Sequence, residues 1–486
     1  MILLNKNEYL DKLHACWIGK NIGGTLGAPY EGSPDMNDIE GFITPEGEPL
    51  PNDDLDLQLV WLNAVEEVGI KNLSTNVLAE YWLERISPFW NEYGIGKTNL
   101  TLGLLPPMSG EFDNERWKNS NGAWIRSEIW ASLAPAAPDV AAKYAVMDAM
   151  VDHGVSEGTY AEIFTASMQS NAYVETDIRR LIETSLEKIP EDSRVVKTIR
   201  LVMDCYDKGI DYRKTREMVV ELNKDLSFGR FQAPGNLGFV AIGLLYGEGD
   251  FKKSMIYTVN CGDDTDCTAA TVGATLGIMG GTKALPEEWK NFVGDRIVQI
   301  CTNASFAFML PKTCTQLTER VAKLVTSVME ENRVDFEFTD GESDLPAEEI
   351  AKFNKLTAKD YLNFSPYSFQ VTNYRAMDVR VELNDTPRVK EGDTRKIKLT
   401  FTNHRYSNEQ KKLHLKLILP ETWSHSGYER VVTLEYPAAI FDIDGVSSTE
   451  FEITVGEKIK DINRMYVEIT SINVPYPIMI PINFIG

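Results

Sequence analysis

The stretch CGDDTDCTAATVGATLGIMGG, residues 261–281, joins an acidic turn to an apolar segment with regularly spaced glycines. Gly273, Gly277 and Gly281 recur every four residues, so they share one face of a helix that follows the turn. A glycine inside a helix costs about 1 kcal/mol relative to alanine, so three in register indicate close approach of another backbone. The alternative is that one end of the run belongs to a loop.

A second stretch with the same glycine spacing is the natural partner for this helix. GKNIGGTLGAPYEG, residues 19–32, carries glycines at positions 19, 23 and 27. If the two helices pack antiparallel, the chain leaving the first helix lies at the same end as the acidic turn of the second. We then expect Glu31 to join the carboxylates of that turn.

Another acidic turn, the first along the chain, precedes an apolar helix in PNDDLDLQLVWL, residues 51–62, and the turn of residues 261–267 is then the second. Capping explains any one of these residues, because Asn is a favoured N-cap and the helix dipole stabilises carboxylates in the first turn. Two such turns favour a shared cation, because carboxylates brought together repel one another and raise one another's pKa. Oxygen ligands without His favour Mg²⁺, Mn²⁺ or Ca²⁺ over zinc.

Length and pattern predict two domains, since a chain of 486 residues exceeds what one core usually organises. Up to residue 340 the apolar residues recur mostly at helical spacing, and residues 341–365 have the composition of an acidic connector. From 366 to 486, six β-rich runs are separated by turn residues: VRVELN, KIKLTFTN, LHLKLILP, EFEITV, MYVEITS and IMIPINFI. We predict an all-α catalytic domain, a linker, and an all-β sandwich of about seven strands.

Charge and cysteine usage exclude several classes of partner. A net charge of −23 opposes binding to nucleic acid or to an anionic membrane surface, so we expect neither partner. The six cysteines contain no C-x-x-C pair, which argues against a zinc or disulfide framework and favours a reduced compartment. No apolar run reaches the length of about 18 residues that a membrane span needs. We therefore expect a cytoplasmic protein.

Four ordered motifs resemble those of the ADP-ribosylglycohydrolase family, which includes dinitrogenase reductase-activating glycohydrolase. GKNIGGTLGAPYEG resembles the family's G-D-A-x-G-x-P-x-E segment, NDDLDLQLVWL its T-D-D-T-E helix start, and CGDDTDCTAATVGATLGIMGG its G-x-D-T-D-T segment. NGAWIRSEIWASLAP is similar to the G-N-G-x-x-M-R-x-x-P segment, and a histidine in the T-H position follows it. The match covers roughly residues 9 to 300, and four motifs in order are far more specific than one.

This resemblance implies an all-α catalytic fold that binds two divalent cations, Mg²⁺ or Mn²⁺. It does not extend to the β-sandwich. Residue by residue, it implies catalytic roles for Glu31, Asp53 and Asp264, substrate contacts at Gly122, Arg126 and His153, and metal ligands at Asn52, Asp53, Asp54, Asp264, Asp266 and Cys267.

The sequence departs from the family pattern at two of these ligands. Asn52 stands in place of a threonine and Cys267 in place of a threonine or serine. A thiol is a poor ligand for a hard cation, so one metal position is expected to bind more weakly. Two of the substrate contacts also have structural alternatives, since Arg126 could brace buried carboxylates and His153 could be a satisfied buried histidine.

The implied reaction is hydrolysis of an N- or O-glycosidic bond of an ADP-ribosyl or related ribosyl group, carried by a small molecule or a protein. One alternative is a non-catalytic module that binds an ADP-ribose-like ligand, which the two departures would explain. Another is a carbohydrate-active glycoside hydrolase whose β-sandwich binds sugar, which the many aromatic residues and the domain pairing would explain.

Overall fold

The structure is a computed structural model that divides the chain into two compact units. The helical unit comprises Met1–Gly94 and Asn114–Asn363, and the strand unit comprises Ile95–Asp113 and Phe364–Gly486. The residues that the structure describes are 1–227, 229–372, 377–403, 410–438, 444–472 and 476–486.

Helices dominate the first two thirds of the chain, as the helical spacing of apolar residues predicts. Within the described residues they are α1 Lys6–Gly27, α2 Asp53–Val68, α3 Thr75–Arg85, α4 Asn91–Thr101, α5 Met108–Glu111, α6 Glu128–Leu133, α7 Pro138–Ala149, α8 Glu157–Ala172, α9 Ile178–Leu186, α10 Arg194–Asp207, α11 Tyr212–Asn223, α12 Ala233–Gly247, α13 Phe251–Asn260, α14 Thr265–Gly280, α15 Glu287–Val293, α16 Cys314–Ala322, α17 Val325–Glu331, α18 Ala347–Ala351 and α19 Ala358–Tyr361.

Helices α1 and α14 pack antiparallel through their glycines, which confirms the predicted pairing. A Cβ added to Gly19 would lie 2.2 Å from the carbonyl oxygen of Gly273, and one added to Gly27 would lie 2.2 Å from that of Thr265. Such separations leave no room for a side chain, so the two backbones are in direct contact. Gly281, with φ +67°, lies just after the end of α14, so this end of the glycine run leaves the helix.

We expect Gly23→Ala to destabilise the protein by roughly 1–3 kcal/mol, the usual cost of overpacking a closed interface. The new Cβ would lie 2.3 Å from the carbonyl carbon of Ala269, and the helix-propensity gain of about 1 kcal/mol does not offset that clash. Gly235→Ala in α12 is the matched control, because its nearest neighbouring atom is 3.9 Å away. The control should be neutral or slightly stabilising in denaturant unfolding. Equal destabilisation of both variants would contradict the close approach at Gly23.

The strand unit contains two antiparallel sheets. Their strand orders are β3-β4-β5-β9-β7 and β11-β10-β6-β8. The strands are β3 Ser368–Val371, β4 Met377–Leu383, β5 Thr394–Asn403, β6 Lys411–Ile418, β7 Ser424–Ser426, β8 Val431–Leu434, β9 Val446–Thr454, β10 Ile462–Thr470 and β11 Ile478–Ile485, while β1 Ile2–Asn5 and β2 Phe336–Thr339 form a parallel pair in the helical unit.

One apolar core is shared by both sheets, which confirms the predicted sandwich. Alternate residues of β4 and β5 point inward, as Val379 and Leu399 do, and meet residues such as Met465 and Ile480 of the other sheet. All six β-rich runs of the sequence form strands. The described residues contain nine strands rather than about seven, because β3, β7 and β8 have only three or four residues and show no readable alternation.

Residues Ile95–Asp113 contribute to the strand unit although they lie within the region that the sequence analysis assigns to the helical domain. Leu104, Met108 and Phe112 are buried in the apolar core that the sheets share. The side-chain amide of Asn483 in β11 donates a hydrogen bond to the carbonyl oxygen of Gly103, at 2.8 Å. The core of the strand unit therefore includes side chains from residues 95–113, which lie far from the C-terminal strands in sequence.

The acidic connector is more ordered than its composition suggests. Helices α18 and α19 lie within it, and its C-terminal part is held to the rest of the helical unit by Asp139. The carboxylate of Asp139 accepts hydrogen bonds from the backbone of Lys355 at 3.0 Å and from the Tyr361 hydroxyl at 2.8 Å. Lys188 lies 2.6 Å from the same carboxylate and compensates its charge.

Two further observations concern the helices and the cysteines. Among the described helices, none combines the length and apolar character needed to cross a bilayer. No disulfide joins the six cysteines, all of which the structure describes and buries.

Candidate functional site

The start of α2 presents the first acidic turn. Asn52 is the N-cap, as the sequence predicts, and its Oδ1 accepts a hydrogen bond from the backbone N–H of Asp54 at 2.8 Å. The Asn52 amide packs against Gly24, where a Cβ would lie 1.7 Å from Nδ2. This glycine lets α1 support the cap, and the cap directs the side chains of Asp53 and Asp54 out of the helix end.

Two backbone hydrogen bonds join the segment that follows Glu31 to the start of α14. The backbone N–H of Gly32 donates to the carbonyl of Asp263 at 2.7 Å, and the N–H of Asp263 donates to the carbonyl of Ser33 at 2.6 Å. Gly262 and Asp263 turn the chain into the helix with φ of +78° and +63°. The antiparallel packing of α1 and α14 therefore ends with Glu31 beside the second acidic turn.

The two acidic turns meet in two groups of carboxylates that share Asp266. Oxygens of Glu31, Asp264 and Asp266 lie within 4.8 Å of one another, and so do oxygens of Asp53, Asp54 and Asp266. The convergence that the antiparallel packing predicts is therefore present in the structure.

Burial and mutual repulsion of these carboxylates outweigh the nearby positive charge, which is the condition that a bound cation would relieve. Both oxygens of Asp54 and Oδ1 of Asp266 are buried without a hydrogen-bond partner. Burial, followed by repulsion from Asp266, raises the pKa of Asp54 and Asp264 well above the usual range. The same causes raise the pKa of Asp53 to about 6, and Asp266 with burial raises that of Glu31 to about 7. The donor set fits one or two divalent cations.

Neutral side chains orient two of the carboxylates. The Asn121 amide donates to Oδ2 of Asp264 at 2.7 Å, and the Tyr93 hydroxyl donates to Oδ2 of Asp53 at 3.1 Å. Such contacts fix which oxygen faces the cluster and are typical of the residues that surround metal ligands.

A buried ion pair that the sequence analysis missed lies beside the cluster. Nζ of Lys20 is 3.0 Å from Oε2 of Glu128, and both side chains are completely buried. Glu128 also accepts hydrogen bonds from Gln58 and Gln169, each at 2.9 Å. Although burial opposes it, attraction to Glu128 and Asp54 raises the pKa of Lys20, so its charge persists. The sequence signal for this ion pair was Lys20, a charged residue that directly follows Gly19, one of the interface glycines of α1.

Cys267 and Asn52 are not placed with the carboxylate groups. Cys267 lines the cavity described below, but among the described residues its sulfur belongs to neither carboxylate group. Burial raises the pKa of its thiol well above the usual range, so the sulfur is neutral. Asn52 does not line the cavity, and its amide oxygen already accepts the capping hydrogen bond.

Arg126 lies in a buried network of charges. Its Nε is 2.8 Å from Oδ1 of Asp148, and its Nη2 is 2.7 Å from Oδ1 of Asp152. It also donates to the carbonyl of Gly122, and its guanidinium lies over the ring of Trp82 with 5.0 Å to the ring centre. The side chain is fully buried, so the structure supports the alternative in which Arg126 braces carboxylates.

His153 is also buried and has polar neighbours on both ring nitrogens. Nδ1 lies 3.0 Å from Oδ1 of Asp152, and Nε2 lies 3.2 Å from Oγ of Ser120. Neither His153 nor Arg126 lines the cavity in the part of the chain that the structure describes, whereas Gly122 does. Of the three predicted substrate contacts, the structure therefore brings only Gly122 to the cavity wall.

A cavity of about 320 Å³ opens over the carboxylates. It combines six acidic residues with four aromatic ones, and Glu92 is an acid that the sequence analysis missed because it stands outside the acidic turns. The described lining residues are Ala28, Glu31, Pro51, Asp53, Asp54, Trp90, Asn91, Glu92, Tyr93, Trp117, Ser120, Asn121, Gly122, Ile125, Phe231, Asp264, Asp266, Cys267 and Ile300.

Comparison with known proteins identifies the family of the chain. The sequence profile described as ADP-ribosylglycohydrolase matches residues 5–324. An uncharacterized protein of Archaeoglobus fulgidus is 24% identical over 309 residues, which cover 59% of this chain and 92% of that protein. The solved ADP-ribosylglycohydrolase-related protein complex covers 67% of this chain and 99% of its own at 19% identity and a TM-score of 0.41.

A shorter similarity involves a FixG-related protein from Vibrio parahaemolyticus, at 13% identity and a TM-score of 0.19, which covers 23% of this chain and 98% of its own. The family profile spans well over half of the chain and includes both acidic turns, the segment around Glu31 and the cavity walls. The chain belongs to the ADP-ribosylglycohydrolase family.

Proposed function

We propose that the helical unit is a metal-dependent hydrolase that cleaves an N- or O-glycosidic bond of an ADP-ribosyl or related ribosyl substrate. The observation that carries this proposal is the pair of carboxylate groups that share Asp266 inside one cavity. Membership of a glycohydrolase family supports the same class of reaction.

Two divalent cations would be held by residues already named. Asp53, Asp54 and Asp266 are the ligands proposed for one, and Glu31, Asp264 and Asp266 for the other. All are hard oxygen donors, which favours Mg²⁺ or Mn²⁺. When bound, such cations hold hydroxyl oxygens of the sugar and lower the pKa of a water molecule.

Glu31 is the proposed base. Its carboxylate is exposed at the cavity and can accept a proton from the water that attacks the anomeric carbon. As the C–O bond to water forms, the glycosidic bond breaks and its electron pair goes to the leaving atom. The carboxylates of Asp53 and Asp264, oriented by Tyr93 and Asn121, stabilise the positive charge that develops on the sugar ring.

A phosphate-free glycoside is the second candidate substrate. The described lining of the cavity contains no Lys, Arg or His that could pair with a pyrophosphate. Aromatic walls suit a sugar or an apolar leaving group, and here they are formed by Trp90, Tyr93, Trp117 and Phe231. This observation favours the carbohydrate-active alternative for the helical unit.

The test combines calorimetric titration of Mg²⁺ and Mn²⁺ with hydrolysis assays on two sets of compounds. One set carries ADP-ribose on arginine or serine, and the other consists of phosphate-free ribosides. Turnover of either set with metal supports the hydrolase and identifies its substrate class. Thermal stabilisation by ADP-ribose without any turnover would instead establish a non-catalytic binding module.

We expect the affinity for Mn²⁺ to increase as the pH rises from about 5 to 8, because the cation must displace protons from its ligands. In the metal-free protein the pKa of Glu31 is about 7 and that of Asp53 about 6. Calorimetry in buffers of different ionisation enthalpy measures the protons released, which should be more numerous at pH 6 than at pH 8.

The stability of the metal-free protein gives the matching control. Because folding raises these pKa values, the native state binds more protons than the unfolded chain in this window, and its stability falls as the pH rises. Saturating Mn²⁺ should reduce that slope. Metal binding with no proton release at either pH would count against Glu31 and Asp53 as ligands.

A further inference from the structure

The buried pair of Lys20 and Glu128 lies next to the start of α2. Lys20 precedes Gly24 by one helical turn, so both lie on one face of α1, and Gly24 packs against the N-cap Asn52. Oε2 of Glu128 receives the ammonium of Lys20 at 3.0 Å and the side-chain amide of Gln58 at 2.9 Å. The ammonium is therefore held on the side of α1 that faces the first acidic turn.

Gln58 connects the pair to Asp54. Its Nε2 donates to Oε2 of Glu128 and to the backbone carbonyl of Asp54, each at 2.9 Å. The other oxygen of Glu128 accepts a hydrogen bond from Gln169, also at 2.9 Å. Asp54 is 1% exposed, yet neither of its carboxylate oxygens has a hydrogen-bond partner among the described residues. Glu128 is thus satisfied within the protein, whereas Asp54 keeps both oxygens for a cation.

The charge of Lys20 acts on the carboxylate group that contains Asp54. Burial and Asp266 raise the pKa of Asp54, and attraction to Lys20 opposes this rise. The same three influences act on the pKa of Asp53. At Asp54 the effect of Lys20 exceeds the opposite effect of Glu128, so the pair presents its positive end to this group.

The other carboxylate group lies outside this influence. Asp266 and burial raise the pKa of Glu31, burial and Asp266 raise that of Asp264, and Lys20 is not among the main charges that act on either. Repulsion between like charges is stronger in a buried site than in water. A cation held by Asp54 would therefore meet a repulsion that a cation held by Glu31 and Asp264 would not.

We propose that Lys20 makes the position between Asp53 and Asp54 the weaker of the two cation sites. Its ammonium lies on the buried side of that group, so a divalent cation binds there against a fixed positive charge. The sequence analysis expects a weaker position because of Asn52 and Cys267, but the structure places neither with the carboxylate groups that it describes. Lys20 is a positioning residue, since it acts on the cation and not on the substrate. This inference rests on the proposed function.

The first test compares two variants that each retain one position. Glu31→Gln removes a ligand of one group, and Asp53→Asn removes a ligand of the other at an equal change of charge. Each variant binds one cation, so repulsion between two cations does not affect the comparison. In calorimetric titration, Asp53→Asn should bind Mn²⁺ about tenfold or more tightly than Glu31→Gln, the lower end of what residues around metal ligands usually contribute. Equal affinities, or the reverse order, would overturn the inference.

The second test removes the charge of Lys20. Lys20→Met combined with Glu128→Gln deletes both charges of the pair, which avoids the uncompensated buried charge that either replacement alone would leave. Added to Glu31→Gln, this neutral pair should strengthen Mn²⁺ binding by about tenfold or more, and added to Asp53→Asn it should have little effect. A merely structural role of Lys20 predicts weaker binding instead, because displaced ligands hold a cation less well.

Lys188→Met combined with Asp139→Asn is the matched control. This pair is also buried, with 2.6 Å between Nζ and Oδ1, and Lys188 is not among the main charges that act on Asp53 or Asp54. Its neutral form should leave the affinity for Mn²⁺ unchanged.

The outcomes separate this inference from the proposed function, because every titration is made without substrate. If the neutral pair at Lys20 leaves Mn²⁺ binding unchanged or weakens it, the inference fails. If that variant does not fold, the comparison of Glu31→Gln with Asp53→Asn decides. Failure to hydrolyse any ribosyl or ADP-ribosyl compound would contradict the proposed function and leave the difference in affinity as measured.

Discussion

Asp266→Asn is expected to abolish binding of both divalent cations, because Asp266 is the residue common to the two carboxylate groups. Removing a hydrogen-bond partner of a ligand typically costs 10- to 100-fold in metal affinity, so loss of a shared ligand should exceed about 100-fold at each position. Calorimetry should therefore find two cations in the wild type and none in the variant at the same concentration. Hydrolysis of any substrate should be lost with them.

The same substitution should stabilise the metal-free protein. Asp266 raises the pKa of Glu31, Asp53, Asp54 and Asp264, which means that its charge is unfavourable when no cation is present. Removing one negative charge relieves this repulsion. The variant should thus unfold at higher temperature than the wild type without metal, and at lower temperature with saturating Mn²⁺.

Glu31→Gln is the matched control, since Glu31 belongs to one group alone. It should reduce the stoichiometry from two cations to one and leave the group of Asp53 and Asp54 functional. If Asp266→Asn still binds two cations with unchanged affinity, the shared site is wrong. If both variants lose one cation each, the two groups do not share a ligand.

The parts of this site that could be predicted depend on rules that act locally. Glycines at four-residue spacing have a steric meaning wherever they occur, so spacing alone could predict that another backbone approaches Gly273, whereas the contact with Gly19 comes from the structure. Asn52 is a favoured N-cap in any helix, and it is one here. The alternation of β4 and β5 likewise indicates which residues point inward, whatever the rest of the chain does.

Other features depend on contacts distant in sequence, for which the chain has no local signal. Leu104 and Phe112 are ordinary apolar residues between helices, and they belong to the strand unit because its core extends to them. Glu92 is a single acid without acidic neighbours, and its importance comes from the cavity and from Gly122. Arg126 lies in a motif that resembles a ligand-binding segment, yet its charge compensates the buried carboxylates of Asp148 and Asp152.

Arg126→Leu is expected to destabilise the helical unit by about 3–5 kcal/mol, the usual effect of removing one partner from a buried ion pair. Asp148 and Asp152 would remain buried without their cation, and leucine offers no hydrogen bond to the carbonyl of Gly122. The pKa values of both carboxyls should rise in the folded variant. The variant should therefore become less stable as the pH rises, because both carboxyls must ionise without a partner.

Arg213→Leu provides a control in which the ion pair has the same nitrogen–oxygen distance but is exposed to solvent. Arg213 lies 2.7 Å from Asp38, the same distance that separates Arg126 from Asp152, but its side chain is 45% exposed and that of Asp38 is 87% exposed. Because solvent screens an exposed pair, it contributes little to stability, so unfolding in denaturant should hardly distinguish this variant from the wild type.

The comparison also decides between the two interpretations of Arg126. An arginine that steadies a substrate phosphate would, when replaced, raise KM for an ADP-ribosyl substrate and leave the free energy of unfolding unchanged. If Arg126 instead stabilises buried carboxylates, its replacement should lower the free energy of unfolding and leave KM unchanged. Any loss of activity should then disappear once the rate is divided by the fraction of folded protein. Because the guanidinium is fully buried between Asp148 and Asp152, we expect the second result. A wild-type free energy of unfolding in Arg126→Leu would contradict the brace.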